Sequence, residues 1–351
     1  MSSRGPVGAL IAAVLCLLTG AALSSCEYKD LCYDHPDHAL TYRTRLEATW
    51  DLQWELPSGE APDWRKDWPA CLGASYESLI PEMPTGIRVV AYNNENGSRS
   101  IHNTEASGGI LNLAPGSHSL IFYNNDSQQI VFDEMDSSIS AKATSRSRSR
   151  STYKGRGTFG ASRDEEYTIG PPDALFGSYI GAYNQEKVLE PPVLATEMKP
   201  LVYKYVVYYG FDSGLKYVSI SRGALSGMAR SVFLHDGHTG PEKATILFDC
   251  HKTEDGIEAT VESFGIPDYP NGYYTSRSDA VYILNLEVRL NNGKILQFDR
   301  DVSEQVRRQP HGGVIIVDGF SIPDDVGNQD GTGFLVDVND WGDFEDIEII
   351  F

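Results

Sequence analysis

The tetrapeptide Leu23-Ser24-Ser25-Cys26 carries the most specific chemistry in the sequence. It follows an early cation, Arg4, an apolar run over residues 7–18 and a stretch of small residues, which is the order of a secretory signal. Ending in cysteine, it fits the bacterial lipobox, where the thiol is acylated and a peptidase then cuts in front of it. A membrane-spanning helix fits less well, because residues 7–23 are interrupted by glycine and threonine, while a span needs about 20 largely apolar residues. Residues 1–25 are therefore expected to be a removable signal peptide, and Cys26 the lipid-bearing first residue of the mature chain. Each buried methylene contributes about 0.8 kcal/mol, so two or three acyl chains would hold the protein on a membrane without help from the polypeptide.

Help from surface charge is not expected. The chain has 29 basic and 49 acidic residues, a formal charge of −20 that becomes −21 once Arg4 leaves with the signal. Such a surface repels nucleic acid and anionic headgroups.

Two clusters could hold metal. Asp34-His35-Pro36-Asp37-His38 offers imidazole and carboxylate donors, but it sits in the expected tether, and Pro36 prevents regular spacing. The stretch Asp324-Asp325-Val326-Gly327-Asn328-Gln329-Asp330-Gly331 has the oxygen donors of a calcium loop without its closing glutamate, so it reads as an acidic surface turn. The sequence contains no G-x-S-x-G, phosphate loop, H-E-x-x-H, C-x-x-C or dinucleotide fingerprint. No cofactor, metal or catalytic residue is expected, and the protein reads as a non-enzyme.

Of the five cysteines, Cys16 leaves with the signal and Cys26 is consumed by lipid. An exported compartment permits a disulfide among Cys32, Cys71 and Cys250, with Cys32–Cys71 the first pairing to consider. Cys250 shares a strand parity with Ile246 and Phe248, the position of a small buried apolar group.

The elements that must position these residues are strands. Over residues 42–54, Tyr42, Leu46, Ala48, Trp50, Leu52 and Trp54 share one parity, while Arg43, Arg45, Glu47, Thr49, Asp51 and Gln53 share the other. In Asn291-Asn292-Gly293-Lys294 the Asn-Gly pair predicts a hairpin between alternating segments. Asp255-Gly256 marks another, and further strands are expected over residues 86–92, 109–113, 118–124 and 201–209. The one helix candidate is 223–234. The 33 glycines and 18 prolines suit many short strands joined by turns.

Residues 184–200, with Pro191, Pro192 and Pro200, read as an extended linker, and Ser145 to Arg150 as a solvated loop. Tyr203, Tyr205, Tyr208 and Tyr209 occupy both parities, so part of that group is expected to be exposed as a contact surface. A carbohydrate-binding lipoprotein with an aromatic platform is the alternative reading, glycan then being the partner.

The lipobox followed by Asp30-Leu31-Cys32-Tyr33-Asp34-His35, the strand bearing Trp50 and Trp54, the central Leu225-Ser226-Gly227-Met228-Ala229 and the closing Val338-Asn339-Asp340-Trp341 resemble the fimbrillin-like lipoproteins of Bacteroidales related to FimB-type fimbrial anchors. That resemblance implies a mainly β fold of two tandem transthyretin-like β-sandwiches at the cell surface. Residues 26–39 would form the lipidated tether, 40–190 the first sandwich and 191–351 the second. Its implied role is a type V pilus anchor or accessory subunit that meets other fimbrial subunits along open strand edges. The chain stops at Phe351 directly after the alternating Ile347-Glu348-Ile349-Ile350, which favours an anchor or accessory subunit over a stem subunit unless that last strand is itself the donor.

Overall fold

In the computed structural model, residues 40–57, 61–149, 167–270, 280–328 and 345–346 are described. Strand follows strand through them: β1 (Thr44–Trp50), β2 (Gly86–Asn93), β3 (Arg99–Glu105), β4 (Gly108–Leu111), β5 (Gly116–Asn124), β6 (Ile130–Asp133), β7 (Lys142–Ser145), β8 (Arg148–Ser149), β9 (Tyr167–Ile169), β10 (Phe176–Gln185) and β11 (Val193–Pro200). The second half supplies β12 (Tyr203–Ser213), β13 (Val218–Ala229), β14 (Ser231–Phe233), β15 (Lys243–Lys252), β16 (Gly256–Ser263), β17 (Ile283–Leu290), β18 (Ile295–Asp301), helix α1 (Ser303–Arg308), β19 (Gly313–Ser321), helix α2 (Asp324–Gly327) and β20 (Glu345–Asp346). The protein is mainly β, and residues 42–351 form one compact unit.

The first sheet system closes in the order β1-β11-β10-β5-β2-β3-β4. Its closure is thin at two corners. β10 meets β11 only at Phe176↔Pro200 and Gly177↔Lys199, and β3 meets β4 only at Glu105↔Gly108. It therefore packs as a sandwich, β4-β1-β11 facing β10-β5-β2-β3, around Leu46, Ile87, Val89, Leu111, Phe122 and Met198. The second system runs β18-β17-β13-β15 and continues through β16 to β12 and β19. The fold-over comes where β15 meets β16 at His251↔Glu258 and Lys252↔Ile257. Tyr205, Val207 and Tyr209 of β12 then share a core with Leu284, Leu286 and Val288 of β17.

Residues between β1 and β2 cross to the outer face of this second system. Trp54, Leu72 and Leu79 pack with Val206 and Tyr208 of β12 and Val314 of β19, and Trp64, Trp68 and Tyr76 lie against them. Trp54, Trp68 and Tyr76 meet at 5.1–6.2 Å between ring centroids. The buried Glu258 carboxylate accepts the backbone N–H groups of Gly73 at 2.8 Å and Ala74 at 3.4 Å, and Lys204 donates to the Leu79 carbonyl at 2.9 Å. This strap buries both faces of β12 and β19, so their continuous apolar runs do not show the alternation of a half-exposed sheet.

That covering overturns the expected tyrosine surface: Tyr203, Tyr205, Tyr208 and Tyr209 are all buried. Three of their hydroxyls donate to backbone carbonyls, those of Pro200, Gln309 and Asn285. Other expectations change too. β1 ends at Trp50, and Trp54 leaves the first sandwich for the strap. The expected linker 184–200 holds the end of β10 and all of β11, where Thr196, Met198 and Pro200 turn inward in alternation. Residues 223–234 hold the end of β13 and all of β14 in place of a helix, because β13 is paired on both sides and a Cβ on Gly223 would lie 2.1 Å from the Phe248 ring. Ser145 is buried at the end of β7, its hydroxyl donating to the Gly170 carbonyl, so the serine–arginine loop is in part a strand terminus.

The hairpins at Asp255-Gly256 and Asn291-Lys294 form as expected, the latter through Leu290 N–H to Lys294 O and Gly293 N–H to Leu290 O, both 2.8 Å. The sheet boundary lies between Pro200 and Tyr203, yet β14 returns to pair with β7, forming a sheet with β6 over the outer face of β2 and β5. Among the described residues no helix is long and apolar enough to cross a membrane.

Trp54→Ala should destabilise the protein by about 3–5 kcal/mol in chemical denaturation, the range for removing a fully packed aromatic. Beside it, burial raises the Glu55 carboxyl to about 7 from 4.5, against the Tyr76 hydroxyl and Arg65, which favour ionisation. The folded protein thus holds a proton that the unfolded chain releases, so this stabilisation is full below about pH 4.5 and lost as pH rises through about 7. Glu55→Gln should flatten the stability profile over that window relative to wild type.

Candidate docking edges

Sheet edges expose backbone donors and acceptors, and each edge here can be followed from its ladder. β19 pairs in parallel with β12 through Tyr205↔Gly313, Val207↔Ile315 and Tyr209↔Val317, with the intervening Val314 and Ile316 presenting their N–H and C=O groups to the other side. No strand lies there among the described residues. Two side-chain amides from α1 and its C-cap take its place. Gln305 accepts from Ile316 N–H at 3.0 Å and donates to Ile316 O at 2.9 Å, and Gln309 accepts from Val314 N–H at 3.1 Å and donates to Val314 O at 2.5 Å. Each glutamine thus makes the paired bonds that a residue of a neighbouring strand would make.

Three features hold this seal. Gln309 Oε1 also accepts the Trp64 indole N–H at 3.0 Å, which ties the strap to it. Gln309 is 3% exposed and Val306 of α1 is fully buried. Gly313 has φ +148°, and a Cβ there would lie 2.0 Å from Gln309 Oε1, so only glycine admits the amide.

β18, at the opposite end of the same system, pairs with β17 over seven residues from Ile283↔Asp301 to Arg289↔Ile295. Its outer side meets no strand among the described residues, and its side chains are half-buried with Ile295 exposed. β3 is similar: it is ladder-bonded to β2 from Arg99 to Glu105, meets β4 only at Glu105, and exposes Ile101. Both carry charge, Arg99 and Glu105 on β3, Asp299, Arg300 and Asp301 on β18, which limits promiscuous pairing.

Of the residues singled out from sequence, Cys26, Cys32 and the Asp34–His38 cluster lie outside the described residues. Cys71 is exposed, and Cys250 packs partly buried against the second core. Asp324 accepts the Tyr217 hydroxyl at 2.7 Å and pairs with Lys216 at 3.5 Å, the behaviour of an acidic surface turn; residues 329–331 lie outside the described part. The sequence reading missed Gln305 and Gln309. Their signal is modest: two glutamines four apart, one helical turn, shortly before a Gly-Gly and an apolar run.

Gln305→Leu combined with Gln309→Leu strips four hydrogen bonds from β19 and leaves the buried Val314 and the half-buried Ile316 unpaired at the rim. Denaturation should show a loss of about 3–6 kcal/mol, since an unsatisfied buried group costs about 1–3 kcal/mol. A loss within error would mean that water serves the edge equally well.

Residues 77–249 match the model of a domain of unknown function, DUF5119. Over 190 residues the chain is 22% identical to a Bacteroides ovatus protein named for a proposed role as fimbrium anchoring subunit, Fim4B; the match spans 54% of this chain and about half, 54%, of the relative's length. A crystal structure of a proposed adhesin from Bacteroides ovatus superposes with TM-score 0.55 at 19% identity, covering 86% of this chain and 99% of that one, and so shares the fold. The fimbrial anchor protein Mfa2 from Porphyromonas gingivalis is more distant, with TM-score 0.43 at 9% identity over 79% of this chain and 90% of its own. The chain is thus similar in sequence to a Bacteroides protein named as a fimbrium anchoring subunit and in fold to a Bacteroides adhesin structure, in line with the resemblance its own motifs carry.

Proposed function

We propose that this protein is a lipid-anchored, non-catalytic cell-surface subunit that anchors or accompanies a fimbrium, held in the outer membrane through acyl chains on Cys26 and contacting fimbrial subunits along a strand edge. Its two sheet systems would be tandem transthyretin-like sandwiches, with residues 26–39 as the tether and the division between Pro200 and Tyr203 rather than at the expected residues 190–191, because β11 pairs with β1. Cys71 is exposed and so could be reached by Cys32 for the disulfide this reading includes. The relationship to a protein named as a fimbrium anchoring subunit supports the assignment.

One observation carries the docking part: two edges of one sheet system are treated differently. β19 is filled by glutamine amides, whereas β18 is left with a bare outer side among the described residues. Strand addition releases no water-satisfied backbone at β19 without breaking four bonds, so β18 accepts an extended partner at lower cost. The four tyrosines of β12 are buried and offer the carbohydrate reading no platform.

A photo-crosslinking residue in place of Ile295 on β18 should capture a fimbrial subunit on intact cells, while one in place of Asp318 on β19 should not. Capture from Asp318 alone, or recovery of glycan-utilisation proteins only, would overturn the docking assignment. Metabolic labelling with an alkynyl fatty acid should mark the wild type and not Cys26→Ala; an unlabelled wild type would remove the anchor.

A further inference from the structure

The turn after β14 contains a residue group that belongs to neither sandwich core nor strand edge. His235, Asp236 and His238 fall within four positions, and one ligand atom from each lies within 4.8 Å of the others. His238 Nδ1 is 2.6 Å from Asp236 Oδ1, and His235 Nε2 is 3.1 Å from Asp236 Oδ2, so one carboxylate faces both imidazoles. We propose that these three residues bind a divalent first-row transition metal ion of the zinc or nickel type.

The donor set is that of such ions: two imidazole nitrogens and a carboxylate, with the remaining positions left to water. Metal bonds of about 2.0–2.2 Å place neighbouring ligand atoms roughly 3 Å apart, close to the 3.1 and 2.6 Å between the carboxylate and the two imidazoles, which themselves lie within 4.8 Å of each other. Binding exchanges the protons now shared with Asp236 for the metal and needs only small side-chain shifts.

The turn holds the donors in place before any metal arrives. Phe233 N–H donates to His238 O at 2.8 Å, Gly237 N–H to Phe233 O at 3.0 Å, and His238 N–H to Asp236 Oδ1 at 3.1 Å. Gly237, at φ +74°, makes the reversal that brings His238 back beside His235. The Phe233 ring stacks on His238 at 4.2 Å, and Tyr179 of β10 meets His235 edge-on at 6.0 Å. Side-chain exposure of 17% for His235, 31% for His238 and 47% for Asp236 leaves the carboxylate side open to solvent and the rings backed by protein.

The structure also limits the affinity. His235 Nδ1 is buried without a hydrogen-bond partner among the described residues, whereas the second nitrogen of a metal-bound histidine usually donates to an acceptor, and losing that support weakens sites about 10–100-fold. Binding weaker than that of a fully supported site follows. Because Tyr179 belongs to the first sandwich and β14 pairs with β7, the ion would fasten the turn at the junction of the small sheet and β10.

The test is calorimetric titration of tag-free protein, first stripped by chelator, with zinc and nickel chlorides, and with calcium chloride as the hard-cation control. Wild type should bind one zinc or nickel ion per chain and no calcium. His35→Ala/His38→Ala should leave that site intact, since those residues form a separate cluster. His238→Ala and Asp236→Asn should each weaken it at least 10-fold, and melting curves without metal should match wild type for Asp236→Asn, which keeps an acceptor for the turn. Absence of saturable binding to wild type, binding unchanged in both turn variants, or binding lost only in the His35/His38 variant would overturn the proposal.

Discussion

A backbone N–H or C=O at the rim of a sheet must have a partner or meet water, and the rims of this chain meet that requirement in different ways. In the second sheet system the β19 rim is met from within, through glutamine amides that copy the bonding of a strand. Removing the glutamines would expose a parallel-paired edge rich in valine and isoleucine, the composition that aggregates most readily. Gly313 and Trp64 are then explained by one need, the close approach and fixed orientation of Gln309.

The same requirement accounts for the strap. β12 and β19 carry apolar residues on both faces, so a sandwich that buried only the inner face would leave Val206, Tyr208 and Val314 in water. Residues between β1 and β2 cover them with an aromatic layer, and Glu258 anchors that layer by accepting backbone N–H groups from Gly73 and Ala74. A carboxylate fully removed from solvent is tolerable only with such partners. Because the strap starts in the first sandwich and finishes on the second, and β14 returns to pair with β7, the two sheet systems share packing in both directions along the chain.

What was legible in the sequence was local. The strand composition of β2, β5, β15, β16, β17 and β18 and the two hairpin turns depend on near neighbours in the chain, and those segments formed as read. Burial on both faces is a long-range property. It hid the strap, turned the tyrosines of β12 from an expected contact surface into core, and disguised β13 as a helix, since a strand flanked on both sides has no period to detect. β11 was concealed by its flanking prolines although Thr196 and Met198 alternate inward. The glutamine seal lay beyond reach for the same reason: a helix and the rim it closes are neighbours only once β19 has paired with β12. The His-Asp-Gly-His turn was short enough to be seen, but its donors converge only because Gly237 reverses the chain.

The central claim is that one rim of the second sheet system is closed from within and the opposite rim is kept for a partner. Amide hydrogen exchange of the protein with and without a bound fimbrial subunit addresses it most directly. The account predicts new protection confined to residues 295–301, with Val314 and Ile316 already slow in the free protein and unchanged on binding. Fast exchange at Val314 and Ile316 in the free protein, with protection appearing there and not at 295–301, would contradict it.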